Sequence, residues 1–242
     1  MTDHATETSP QTYARAGGLL YLLIFIFAAV SMWLQSRLVV PGDPAATVSH
    51  ISASLGQWRV SVAAEMAMFT CDIPLAVIFY ILLRPVNANL ALLAAFFRFA
   101  EAIIGTTIVT LHAAPIVLLN GSAYFKSLDA QTLQSLAILA IKLYDYGFGI
   151  ALVSFGFHCL LLGYLIYRST YLPKTLGALL AIAGVCYVLN SFALVVAPAA
   201  ANYTFIAMLI SGFPAELGLC LWLIVFGVNV TKWKAVLLAN TP

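Results

Sequence analysis

The sequence predicts an all-α, polytopic membrane protein: six transmembrane helices in one bundle, with two short outer interfacial helices. Three observations lead there. Of the 242 residues 63% are hydrophobic and only 8% charged, for a mean hydropathy of +1.00, whereas a soluble domain covers its surface with about a quarter charged residues. The apolar residues fall into six long runs, each close to the roughly 20 residues a helix needs to cross the hydrocarbon core. The net charge is +2 and the basic residues stand singly between apolar runs, so no nucleic-acid partner is expected.

The first span covers 17–35, between Arg15 and Arg37. Its apolar run is longer than the roughly 7–15 residues of a signal-peptide core and no small-x-small cleavage site follows, so it is a retained span. The second covers 58–83 and stops at Arg84-Pro85, because proline excludes the helical conformation for the residue before it. The third, 90–119, ends at the turn dipeptide Asn120-Gly121. The fourth begins near residue 144 and ends at 168, the fifth covers 176–196, and the sixth runs over about 204–230. These place one transmembrane domain at 15–234, a disordered cytoplasmic amino terminus at 1–14 and a C-terminal tail at 235–242. With no soluble domain at either end, function is expected in the bundle and its loops.

Positively charged loops stay in the cytoplasm. With the amino terminus inside, Arg15, Arg84, Arg168, Lys174, Lys232 and Lys234 lie inside, against Arg37, Arg59, Lys126 and Lys142 outside. Aromatic belts fit this orientation, with Trp33, Trp58, Tyr124 and Tyr203 outside and Tyr13, Tyr80, Tyr167, Tyr171 and Trp233 inside. Both outer connections look helical. Asp43 can cap a helix starting at Pro44, with Ala45, Val48, Ile51 and Leu55 on one face. Asp129 can cap a second, with Leu133, Leu136, Leu139, Ala140 and Leu143 as its apolar side. The matching span ends Tyr80–Arg84 and Tyr164–Arg168 hint at a twofold repeat of outer helix, span, inner turn and span, although belt and positive-inside rules produce the same residues.

Glycine spacing speaks to packing. Gly149, Gly156 and Gly163 recur every seven residues in the fourth span, as do Gly177, Gly184 and Ser191 in the fifth. Small seams let backbones approach closely in lipid, which predicts an antiparallel pair of these two spans.

The residues that demand explanation are the ionisable ones inside spans. At 1.5 Å per residue, Asp72, Glu101 and Glu216 fall near the bilayer centre, with Arg98 one turn further in and His158 at middle to inner depth. Each central charge costs roughly 2.5–3.5 kcal/mol if unpaired. A second tier nearer the outside holds Glu65, His112, Lys142 and Asp145, with Asn190 at similar depth. Ser61, Glu65 and Asp72 lie on one stripe and Arg98, Glu101, Gly105 and His112 on another, which predicts a polar interior opening outward. In the fourth span Tyr144, Ala151, Ser154 and His158 oppose the glycine side that carries Lys142 and Asp145, and the His158 face is expected to point inward. A structural alternative has Arg98 and Glu101 neutralise each other, or Glu101 share a proton with a second acid. Against it, five acids face only Arg98 and Lys142, an excess a structural network does not require.

Carboxylates and imidazole suit a divalent metal, and Asp72, Glu101, His158 and Glu216 would form a four-ligand set from four helices. No His-Glu-x-x-His or Glu-x-x-His motif supports it. Ser154 and His158 lack a nucleophile elbow, and phosphate-loop and dinucleotide fingerprints are missing. Cys71, Cys159, Cys186 and Cys220 all lie within spans without Cys-x-x-Cys spacing and are expected to pack as thiols. Pro74 and Pro214 each stand two residues from a central acid, and Pro115 interrupts the third span; such breaks are tolerated where protein or cavity water satisfies the freed carbonyl.

The segments 13–21, 83–93, 157–168 and 226–230, which read YARAGGLLY, LRPVNANLALL, FHCLLLGYLIYR and FGVNV, resemble the bacterial multi-pass membrane family known as domain of unknown function four-three-eight-six. The likeness extends from about residue 13 to 233. It implies one complete domain in a prokaryotic inner membrane and brings no catalytic residue with it. The function expected from the residues is binding or translocation of a small polar or cationic molecule, proton-coupled, with Asp72, Glu101 and Glu216 as carriers and Arg98 setting their charge. Glu65, His112 and His158 join them as ligand-binding candidates, and membrane lipid is the surrounding partner. The alternatives are a membrane-embedded metal-dependent enzyme of lipid-hydrolase type and a non-catalytic sensor or assembly partner.

Overall fold

A computed structural model describes residues 9–121, 125 and 127–239. Lys126 and Tyr124, assigned above to the outer loop and belt, lie outside them. Among the described residues the regular structure is helical: α1 Pro10–Leu38, α2 Pro44–Ala53, α3 Leu55–Leu83, α4 Ala88–Leu118, α5 Ala130–Arg168, α6 Lys174–Val196, α7 Ala201–Val225 and α8 Val230–Ala239. Six of these, all but α2 and α8, are long and apolar enough to cross a membrane. The chain is a multi-pass membrane protein.

Local chemistry explains the boundaries. Pro10 opens α1 in the first-turn position where its missing N–H is not needed, so helix occupies part of the segment 1–14 expected to be disordered. Asp43 caps α2 through the Ala46 amide at 2.9 Å, with Pro44 as the first helical residue. Asp129 caps α5, accepting from the Thr132 amide and hydroxyl at 2.8 Å each; the Thr132 amide first, then its hydroxyl, hold this exposed carboxyl below the usual aspartate range. The two outer helices differ. Ser54, at φ −129° and ψ 40°, ends α2 just before α3. The second outer segment has no such break, because 130–146 contains neither glycine nor proline, and it runs straight into the fourth span as one 39-residue helix.

The sixth span ends at Val225, earlier than the expected 230. Gly227, at φ +67°, turns the chain in a conformation that side chains resist. Gln11 pins this turn, donating to the Phe226 carbonyl at 3.1 Å and accepting from the Val228 amide at 3.0 Å. Asn229 then caps α8 through the Lys232 amide at 3.0 Å, so helix fills most of what was expected to be a tail.

The fold divides into two compact units, 1–22 with 72–101 and 152–242, and 23–71 with 102–151. In the first, α6 packs on α7, and Leu75, Leu82, Leu162, Leu165, Leu180 and Leu219 are buried. The expected antiparallel pair is present: a Cβ on Gly163 would stand 2.6 Å from the Gly177 carbonyl and the Ala181 amide, and one on Gly184 2.7 Å from the Gly156 carbonyl. In the second unit Leu38, Ile51, Trp58, Val62, Phe69, Val109 and neighbours form the core.

The belts need correction. Trp33, Tyr167 and Tyr203 are at least half exposed, but Trp58, Tyr171 and Trp233 are buried. Their polar tips answer backbone carbonyls instead of the membrane interface. Trp58 Nε1 donates to His112 O at 2.8 Å. Tyr171 Oη and Trp233 Nε1 both donate to Leu82 O, at 2.8 and 2.9 Å, one of the carbonyls left unpaired at the end of α3.

Candidate functional site

All seven candidate residues, Asp72, Arg98, Glu101, His158, Glu216, Glu65 and His112, are buried. They form two clusters, one in each unit.

In the first unit the centre is Arg98, whose guanidinium pairs with Asp72. His158 Nδ1 lies 2.8 Å from the Ala94 carbonyl. A carbonyl only accepts, so Nδ1 carries the proton and Nε2 faces Arg98 Nη1 at 3.3 Å as acceptor. Aromatic faces of Tyr21, Phe155 and Phe79 stand 5.2, 5.3 and 5.9 Å from the guanidinium carbon. These contacts offset part of the cost of holding a cation away from water. Glu216 accepts from Tyr187 Oη at 2.6 Å and Tyr21 Oη at 3.0 Å. Gly212 makes room for this arrangement, since a Cβ there would meet Tyr187 Oη at 2.6 Å. Glu101 lies one turn from Arg98 on α4, and among the described residues neither its Oε2 nor Arg98 Nε has a hydrogen-bond partner. Arg98 therefore pairs with Asp72 rather than with Glu101, contrary to the simplest structural expectation.

The proposed metal set is not assembled as ligands. Asp72 is engaged by Arg98, Glu216 by two tyrosines and His158 by a carbonyl and a guanidinium. Among the described residues no three His, Cys, Asp or Glu side chains converge as a metal would require.

In the second unit the centre is Glu65. Its Oε1 accepts from Ser31 Oγ at 2.8 Å, Gln35 Nε2 at 2.9 Å and Tyr144 Oη at 2.7 Å, while Oε2 faces His112 Nδ1 at 2.7 Å. His112 is held by the Tyr144 ring, tilted at 33° with centroids 4.7 Å apart, and by Ser61 Oγ, 3.3 Å from Nε2. Beside Glu65 lies a cavity of about 250 Å³ whose polar lining is Ser31, Gln35, Glu65, Tyr144 and Asp145. Its remaining wall is Ala28, Met32, Met68 and Phe148. Lys142 and Asp145, which shared a tier with Glu65 and His112 in sequence, instead form an exposed pair at 3.4 Å, while Tyr144, Ala151 and His158 on the opposite face of α5 are buried. Asn190, the other member of that tier, belongs to the first unit and takes the Thr204 hydroxyl at 3.0 Å.

Four partners were not foreseen: Ser31, Gln35, Tyr21 and Tyr187. Ser31 and Gln35 sit one turn apart at the end of the apolar stretch 22–34 of α1, with Gln35 Nε2 bonding Ser31 Oγ at 2.9 Å. That pairing was the available signal. Tyr21 and Tyr187 stand in span interiors, away from the boundaries where tyrosine usually collects.

The sequence profile of a family described as "Domain of unknown function (DUF4386)" matches residues 16–227. An uncharacterized protein of Archaeoglobus fulgidus is 33% identical over 130 residues, which are 54% of this chain and 64% of that protein. The chain thus spans less than two thirds of that relative's length. No solved structure matches the chain.

Proposed function

We propose that this chain, which belongs to the family described as Domain of unknown function (DUF4386), binds or translocates a small polar or cationic molecule in the membrane. One observation carries the reading: Glu65, a carboxylate on a transmembrane helix and 3% exposed, lines a cavity of about 250 Å³ and is held ready by four donors. Placing a carboxylate in a span is costly, and the donors around it leave it a fixed negative end for a positively charged or hydrogen-bond-donating ligand. In the first unit Asp72, Glu101 and Glu216 are the proton or cation carriers of the same reading, with Arg98 setting their charge. Glu101 favours this role, since its Oε2 is not committed to a partner among the described residues.

The setting is the bacterial cytoplasmic membrane with both termini inside, supported by the basic residues Arg15, Arg84, Arg168, Lys174, Lys232 and Lys234 on that side. Proteoliposomes carrying a pH gradient test the function. Solute-driven proton flux that is present in the parent and lost in Glu65→Gln and Glu101→Gln supports proton-coupled translocation. Equal solute binding by the parent and Glu65→Gln would sink the reading.

A further inference from the structure

Resting on the reading of the Glu65 cavity as a binding site, we infer that its ligand is an organic ammonium ion with a small apolar body. The argument is a donor and acceptor inventory of the cavity wall. Each donor there is already spent. The Ser31 and Tyr144 hydroxyls go to Glu65, and both contacts of the Gln35 amide nitrogen go to Ser31 and Glu65. Because a carboxylate accepts only, the Gln35 amide must present nitrogen to Glu65. Its carbonyl oxygen then points elsewhere and takes no donor among the described residues.

What remains is acceptor capacity. Glu65 Oε1 is saturated by three donors, but Oε2 has one contact, from His112, and keeps a second lone pair. The Gln35 carbonyl adds another acceptor. Asp145, half exposed, adds a second carboxylate, whose Lys142 contact is long at 3.4 Å. A ligand that completes this wall must bring donors and positive charge.

The rest of the wall decides which cation. Ala28, Met32, Met68 and Phe148 offer carbon and sulfur, and the Tyr144 ring, 6.2 Å from Phe148, adds an aromatic face. A sodium, magnesium or calcium ion needs about six oxygen ligands or its own waters, and such a wall would strip the waters without replacing them. An alkylammonium is matched on both counts. Its polar end meets the acceptors, its charge meets the aromatic faces, and its body lies along the methionines. At about 250 Å³ the cavity falls just below the roughly 300–1,000 Å³ of drug-sized sites, which sets the ligand as small. Met32, 66% exposed on a transmembrane helix, lies on the wall, so the body borders the lipid. The same chemistry is available from a free amine or from the amine of a lipid headgroup.

The test is binding to the purified full chain in phosphatidylglycerol nanodiscs, by calorimetry, with n-butylammonium, which carries both charge and N–H donors, uncharged 1-butanol, and sodium and potassium chloride as probes. n-Butylammonium is expected to bind at least tenfold more tightly than 1-butanol, with a loss of about tenfold in Glu65→Gln and about threefold in Asp145→Asn. The second variant sits at an exposed position outside the Glu65 network, so it remains informative if Glu65→Gln fails to fold. Equal binding of charged and uncharged probes overturns the inference. Binding of sodium or potassium alone, lost in Glu65→Gln, overturns the ammonium class and leaves the acidic site standing. No binding by any probe overturns both. Repetition in phosphatidylethanolamine nanodiscs separates the sources: weaker apparent affinity there means the headgroup competes, and unchanged affinity means a free amine, each supporting the class.

Discussion

Asp72 and Arg98 show what a buried ion pair does in this protein and how it fails. Both side chains are buried and directly paired. Removing one partner strands the other, at a cost of about 3–5 kcal/mol, while replacing both with apolar residues is often near neutral. Asp72→Asn is therefore expected to lower stability by that amount, and Asp72→Leu combined with Arg98→Met to restore most of it, as read by denaturant unfolding in detergent. At Glu65 the expected loss is smaller. Tyr144→Phe deletes one of three donors to Oε1 and should cost about 1.5–3 kcal/mol, the range for a hydrogen bond to a charged group. The charged half of both clusters was legible in the sequence because a charge in a span must be explained. Ser31, Gln35, Tyr21 and Tyr187 were not, because a hydroxyl or amide in a helix costs little on its own and nothing in its neighbours names its partner across the fold.

At the scale of elements, glycine position separates seams from tolerated sites. Gly163→Ala would drive a Cβ to 2.6 Å from backbone atoms of α6. Backbone cannot yield as a side-chain tip can, and overpacking of this kind costs about 1–3 kcal/mol. Gly56, in the first turn of α3 and with nothing within 4 Å of where a Cβ would stand, should behave oppositely. Gly56→Ala is expected to be neutral or stabilising by at most about 0.5 kcal/mol, the lower end of the mid-helix gain, and the two variants can be compared in one unfolding series. The cap of α5 adds a pH dependence. Asp129 is held below its ordinary value by Thr132, so its contribution is fully present above the unfolded aspartate pKa of about 3.9 and is lost as pH falls through the lower folded value. Amide hydrogen exchange at Gln131 and Thr132 should quicken below that range in the parent and at all pH values in Asp129→Ala. The seven-residue glycine spacing made the α5–α6 pair readable in advance, and the Asp-Pro and Asp-x-x-Thr caps made both outer helix starts readable. The continuity of α5 was not, since outer helix and span share one helical period with no breaker between them.

For the whole molecule, the six spans were legible because lipid imposes a length and composition on any crossing helix. Their sorting into two units was not. Helices α1, α3, α4 and α5 each contribute residues to both units, and hydropathy has no term that divides a continuous helix. Orientation is the property testable at this scale: a periplasm-dependent reporter fused after 129 should be active and one fused after Lys174 inactive, and the reverse result would invert the proposed topology.

The Leu82 carbonyl, shared by Tyr171 and Trp233, has a consequence for the order of biosynthesis. Trp233 lies 151 residues downstream, which at roughly 5–20 residues per second is about 8–30 s of translation. The C-terminal end of α3 thus enters the bilayer long before the second of its two donors exists. A stalled or shortened chain lacking α8 should thread its spans normally yet stay open to protease at 83–87, making α8 a completion signal for the first half of the protein.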